Sequence, residues 1–151
     1  MALTASDLLS RATATGPDGE VPLELCWTAL EANALGRLAV ELEGVIHIFP
    51  VNYVVHGATI YFRTALGSKL LAVKDNPLVA FEIDDVDDRA AYSIVVKGRA
   101  ARVDSESEVA VADALPLRPW VPTLKLRWVR IWPSEVTGRC FRLGPEPDPY
   151  V

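Results

Sequence analysis

The chain has 151 residues, half of them hydrophobic, and a formal net charge of −5. That length buries a real core in a single domain, and that apolar content excludes a disordered chain. The acidic balance and scattered basic residues exclude a general nucleic-acid binder, which needs a basic face to displace counterions. No apolar run approaches the roughly 20 residues of a membrane span, so no membrane partner is expected. Residues 1–11 lack the charged start and apolar run of a secretory signal. The two cysteines, Cys26 and Cys140, read as buried free thiols of a reducing compartment. The expected location is cytoplasmic.

Residues 1–20 are small and polar, with Gly16-Pro17-Asp18-Gly19 near their end. They read as a flexible leader holding a short helix near Ser6–Arg11, capped by Ser6. The domain proper is expected over 21–143. Pro22 opens a helix running to about Asn33, with Leu23, Cys26, Trp27, Leu30 and Ala34 at helical spacing and Gly36 ending it. Arg37–Leu42 reads as a first strand, turned by Glu43-Gly44. Val45–Val55 is a second strand, apolar on both faces, which needs cover from a helix, a ligand or a second subunit. Pro50 cannot donate to a ladder and marks a bulge or an edge midway along it.

His56-Gly57 is read as a hairpin turn, Thr59–Thr64 as strand three, and Gly67–Asn76 as a short helix stopped by Pro77. Leu78–Ile83 is strand four. The acidic run Asp84–Asp88 lacks the spacing of a calcium loop and reads as a solvated loop. Tyr92–Val103 is strand five, where Gly98 marks a bend or close approach by another backbone. Ser105-Glu106-Ser107-Glu108 forms a capping box for a helix to about Ala114. A Pro-rich connector, Pro116–Pro122, precedes strand six at Lys125–Trp132. Pro133-Ser134 turns the chain into strand seven at Glu135–Leu143. Residues 144–151 form an irregular tail. The expected fold is mainly β: an antiparallel barrel of about six to seven strands with short helices at its rim.

Metal chemistry has little support, because His47 and His56 have no third ligand at suitable spacing. No serine or cysteine stands beside an evident base, so no catalytic residue is assigned. What remains is the corner where strand three hands over to a helix: Arg63, Thr64, Gly67, Ser68 and Lys69. Unpaired N–H groups at a helix start, two cations and two hydroxyls suit a phosphate. The same residues also make an ordinary strand end and soluble helix start, and the corner alone leaves both readings open. Asn52 and Tyr53 in strand two, and Ser93, Trp128, Trp132 and Arg139 later, are flat or hydrogen-bonding groups suited to an aromatic ring ligand.

The ordered series Leu35-Gly36-Arg37-Leu38-Ala39, Phe49-Pro50-Val51-Asn52-Tyr53, Ile60-Tyr61-Phe62-Arg63-Thr64, Gly67-Ser68-Lys69-Leu70, Val79-Ala80-Phe81-Glu82-Ile83, Ser93 to Arg99 and Trp128 to Gly138 resembles the pyridoxamine 5′-phosphate oxidase-like family of FMN-binding split barrels. The likeness spans roughly Leu25 to Leu143. It implies a homodimer with an FMN in each of two clefts between subunits. Pro50, Val51 and Asn52 would lie along the flavin ring, with Phe62, Arg63, Thr64, Ser68 and Lys69 at the phosphate. Ser93 would meet the ring or ribityl chain, and Trp128 and Arg139 of the second subunit would close over the ring. The implied activity is transfer of a hydride or electron pair through flavin to a small-molecule substrate. The end of the chain reads Arg139-Cys140-Phe141-Arg142, without the Arg-x-His element of the family's name-giving enzyme, so vitamin B6 oxidation is not expected. The deazaflavin F420 in the same groove, a flavin-binding module without turnover, and a cofactor-free interaction domain are the alternatives.

Overall fold

The computed structural model of the chain describes residues 2–12, 19–65, 73, 76–117 and 127–150. In these, the elements run α1 (Ala5–Arg11), α2 (Leu23–Ala32), β1 (Leu35–Leu42), β2 (Val45–His56), β3 (Thr59–Thr64), β4 (Leu78–Val86), β5 (Ala90–Arg102), α3 (Glu106–Asp113) and β6 (Arg127–Arg142). All strand pairs are antiparallel, and the sheet closes in the order β1-β2-β3-β6-β5-β4. The strand alternation is that of half-buried sheets. Leu38, Val40, Phe62, Phe81, Ile83, Ile94, Val96, Val129 and Ile131 point inward and are fully buried, while their neighbours point out. Burying each such side chain contributes about 1.5–3 kcal/mol. The helix α2 caps one end through Cys26, Ala29 and Leu30, and the Tyr53 hydroxyl donates to the Leu30 carbonyl at 2.6 Å.

Among the described residues the barrel has six strands, and the expected turn at Pro133-Ser134 is not one. β6 runs straight through it and pairs with β3 from Arg127 to Ile131 and with β5 from Val129 to Arg142. Lys97 faces Glu135 and Gly98 faces Pro133, leaving Ser134 as the extra residue of a bulge. Proline brings no N–H to that position, so a bulge loses nothing by placing it there. Gly98 completes the arrangement: a Cβ built on it would stand 2.2 Å from the Trp132 carbonyl oxygen. The close backbone approach expected at Gly98 is therefore present.

Other boundaries shift for local reasons. Asn33, not Gly36, ends α2, with its amide donating to the Ala29 carbonyl at 2.7 Å. Gly36 lies in β1, where the Phe81 ring fills the space of a side chain. The second hairpin turns at Gly57-Ala58, both at positive φ, one residue beyond the expected dipeptide. Pro50 pairs with Arg37 in an unbroken ladder, so there is no bulge; β3 joins β2 only from Tyr53 onward, which makes the first part of β2 an edge. The expected helix over 67–76 and most of the connector over 116–122 lie outside the described residues, apart from Val73, Asn76, Pro116 and Leu117.

The segment expected as a flexible leader carries a packed helix. Thr4 rather than Ser6 caps α1, and Leu3, Ala5, Leu8 and Ala12 are buried. The acidic run explains the docking. Asp84 and Asp85 belong to β4, and the run is not simply solvated. The Asp85 carboxylate accepts the Ala5 N–H at 2.7 Å, and Asp87 accepts the Ser6 N–H at 2.7 Å. These are the orphan donors and positive end of α1. Hydrogen bonds from the Ser6 side chain, and then from backbone N–H groups of Arg89, Ser6 and Ala90, hold the Asp87 carboxyl well below the usual carboxylate range. A depressed folded-state pKa stabilises above the unfolded value and is lost as pH falls below it. Thermal stability should therefore drop as pH falls from about 5 towards 2, and Asp87→Asn should flatten that dependence, as scanning calorimetry across the interval would show.

Candidate functional site

The outer face of β2, β3 and β6 carries the candidate residues that the fold brings together. On β3, Ile60 and Phe62 point inward, so Tyr61 and Arg63 point outward. The ladder sets Arg63 opposite Trp128 and Tyr61 opposite Arg130. Asn52 and Arg63 each lie one residue beyond the Tyr53–Phe62 pair, which places them on the same outer face. The Arg63 guanidinium sits 5.2 Å from the centroid of the Trp128 ring, a cation–π contact. Its Nε is buried and makes no hydrogen bond among the described residues, a property it shares with the Nε atoms of Arg102 and Arg130.

The helix α3 covers this face. Tyr61, Val103, Ala112 and Trp128 form a second buried cluster, separate from the barrel interior, with Val54, Val109, Leu115 and Leu117 packed against it. Two acidic side chains of α3 pin it down. The Trp128 indole N–H donates to Asp113 Oδ1 at 2.7 Å. Glu108 accepts from the Tyr61 hydroxyl at 3.3 Å and pairs with Arg130 Nη1 at 2.5 Å. The Arg130 guanidinium in turn stacks on Trp132, 4.1 Å from its centroid. Burial, with the neighbouring Glu108 charge and hydrogen bond, pushes the Tyr61 phenol up.

The expected site residues divide accordingly. Pro50 is exposed on β2 beside Arg37, and the Asn52 amide donates to the Ala34 carbonyl at 3.3 Å. Val51, Phe62 and Thr64 are buried. Trp128 is 4% exposed beneath α3, so its ring serves Arg63 of its own chain; Trp132, 52% exposed, is the tryptophan presented outward. Ser93 points outward on β5 between Asp84 of β4 and Arg139 of β6. Three strand spacings separate Ser93 from β2 across β4 and β1, about 14 Å. Trp128 and Arg139 are both on β6, eleven residues and roughly 35 Å apart at strand rise. One chain therefore does not gather Arg63, Ser93 and Arg139. Gly67, Ser68 and Lys69 lie outside the described residues.

Sequence reasoning missed Asp113, Glu108 and Arg130. Glu108 was visible only as half of a capping box, whereas its carboxylate bonds side chains of β3 and β6. It also missed Arg37, whose guanidinium bonds Glu82 at 2.8 Å and Asp84 at 2.7 Å beside Pro50. Among the described residues no group of three or more His, Cys, Asp or Glu side chains could hold a metal ion.

Residues 23–140 match the family described as pyridoxamine 5′-phosphate oxidase. The chain belongs to that family. An uncharacterized protein of Mycobacterium tuberculosis is 46% identical over 94 residues, covering 62% of this chain and 86% of the relative. The solved FAD binding protein from Mycobacterium smegmatis is 39% identical with a TM-score of 0.73, covering 82% of this chain and 98% of that one. A conserved protein of unknown function from Corynebacterium diphtheriae is 40% identical with a TM-score of 0.70, covering 81% and 96%. The six-stranded barrel is thus the family's split-barrel fold.

The α3 clasp has a measurable consequence. Glu108→Gln removes the negative charge that opposes Tyr61 ionisation. Its phenol should titrate closer to the ordinary tyrosine range, read by ultraviolet absorbance against Tyr61→Phe. The Arg130 partner is buried enough that stability should also fall, by about 1–3 kcal/mol in urea titration.

Proposed function

We propose that this protein is a homodimeric flavoprotein that binds FMN between subunits and transfers a hydride or electron pair to a small-molecule substrate. The observation that carries the reading is Arg63: its guanidinium rests over Trp128 on the outer face of β3, and Asn52 stands beside it on the same face. A phosphate is a charge-assisted hydrogen-bond partner for such a guanidinium. The family match and the FAD binding relative support the same cofactor class. FAD contains the FMN moiety, so a site for one accepts that part of the other.

The residues present fit such a group. Arg63 would hold the phosphate, with Ser68 and Lys69 as further donors. Pro50 and Asn52 would lie along the ring, Pro50 presenting an apolar edge and Asn52 a polar one. When bound, the flavin supplies the redox chemistry; the protein positions the ring, polarises it and excludes water. Arg37, held by Glu82 and Asp84 next to Pro50, keeps fixed charge near the ring edge.

Dimerisation follows from what one chain leaves open. Ile46 is 74% and Ile48 68% exposed on β2, on the same face as Pro50 and Asn52. Apolar side chains this exposed on one strand face need cover. A second copy covers them and brings its Ser93 and Arg139, too far from Arg63 within one chain, to the same ring.

Two outcomes test this. Arg63→Ala should fold normally and bind FMN about 10- to 100-fold more weakly, so that the purified variant is colourless; a fully yellow preparation contradicts the assignment. Ile48→Asp should sediment as a monomer and lose its flavin with its partner. The visible spectrum of the wild-type protein distinguishes flavin from F420, and turnover of reduced nicotinamide or reduced F420 distinguishes an enzyme from a carrier.

A further inference from the structure

We infer that Asp113 is a positioning residue for the phosphate end of the cofactor, acting on Arg63 through the Trp128 ring. The inference rests on the flavin reading above, but its structural links stand in the chain itself. Asp113 is the last residue of α3. Its Oδ1 accepts the Trp128 indole N–H at 2.7 Å. The Trp128 ring is 4% exposed and lies edge-on to Tyr61, with centroids 6.4 Å apart and planes at 81°. These two contacts fix the ring plane, and the Arg63 guanidinium rests on that plane.

The arrangement has a physical reason. Arginine carries several rotatable bonds and loses substantial rotamer entropy when it is held for a ligand. A cation–π contact removes part of that loss before binding, provided the ring itself is fixed. An indole free to rotate presents its edge as often as its face. The hydrogen bond to Asp113, which stands at the exposed end of α3, selects one ring orientation, and leaving the indole N–H of the 4% exposed Trp128 without it is unfavourable. Nothing in the contact requires the carboxylate charge. Asparagine keeps the Oδ1 acceptor, and alanine does not.

Three readouts test the inference. In Asp113→Ala, FMN affinity should fall about 3- to 10-fold, while riboflavin, which lacks the phosphate, should bind within about 2-fold of wild type. Asp113→Asn should recover FMN affinity. Asp113→Ala combined with Arg63→Ala should bind FMN no more weakly than Arg63→Ala alone, because the first acts through the second. Equal loss of riboflavin, full additivity, or unchanged FMN affinity in folded Asp113→Ala overturns the inference.

The third readout needs no cofactor. The Arg63 Nε–H resonance, assigned by its disappearance in Arg63→Ala, should be displaced by the ring current of Trp128 in the wild-type protein. It should move to the position of a solvated arginine in Asp113→Ala and return in Asp113→Asn. If the wild-type protein binds neither FMN nor riboflavin, the flavin reading falls and with it the role at the phosphate. The same resonance still shows whether Asp113 sets Arg63. If it is insensitive to Asp113→Ala, the linkage itself is wrong.

Discussion

The double pairing of β6 is the constraint on which the rest of the molecule depends. One long strand satisfies the backbone of β3 on one side and β5 on the other, and so closes the barrel. A strand of that length cannot follow a twisted sheet around a corner without a local break in register. The break is made at Pro133-Ser134 against Gly98, where a missing N–H and a missing side chain meet. The same pairing sets Arg63 beside Trp128, so barrel closure and construction of the outer-face cluster are one event.

Acidic side chains fasten both peripheral helices that the sequence made hard to place. Asp85 and Asp87 receive the N-terminal donors of α1, and Glu108 and Asp113 of α3 reach cationic and aromatic groups of β3 and β6. In the first case the carboxylates come from β4 and the turn that follows it, and in the second from the helix. Both replace water at groups that packing has removed from solvent, where an unmade hydrogen bond is costly. The chain's negative charge is therefore partly structural, and the acidic run at 84–88 has a use that its composition did not reveal.

The candidate site was half legible. Arg63 was marked by the cationic, hydroxyl-rich corner at the end of strand three, and Pro50 and Asn52 by the family resemblance; strand alternation sets all three on the outer face. Val51 and Phe62, given with them by the family resemblance, and Thr64, from the strand-three corner, alternate to the inward side and are buried. Trp128 and Trp132 looked equivalent, since both are tryptophans near the start of one strand. They differ because α3 folds over Trp128 and leaves Trp132 outside, and that choice depends on a contact between residues 113 and 128.

By resemblance to a family the sequence carried the split-barrel class, and by itself it determined the strand alternation, the tight turn at Glu43-Gly44, the helix starts near 23 and 106 and the meaning of Gly98. The features it determined by itself rest on local properties: a period of two, a positive φ, a capping side chain, an absent Cβ. Tertiary structure alone decided that β6 is one strand, that α1 is docked, that α3 lies on the outer face, and which tryptophan supports Arg63. Those outcomes depend on which distant backbone and side-chain groups meet after the sheet closes, and no local pattern along the chain records a partner eighty residues away.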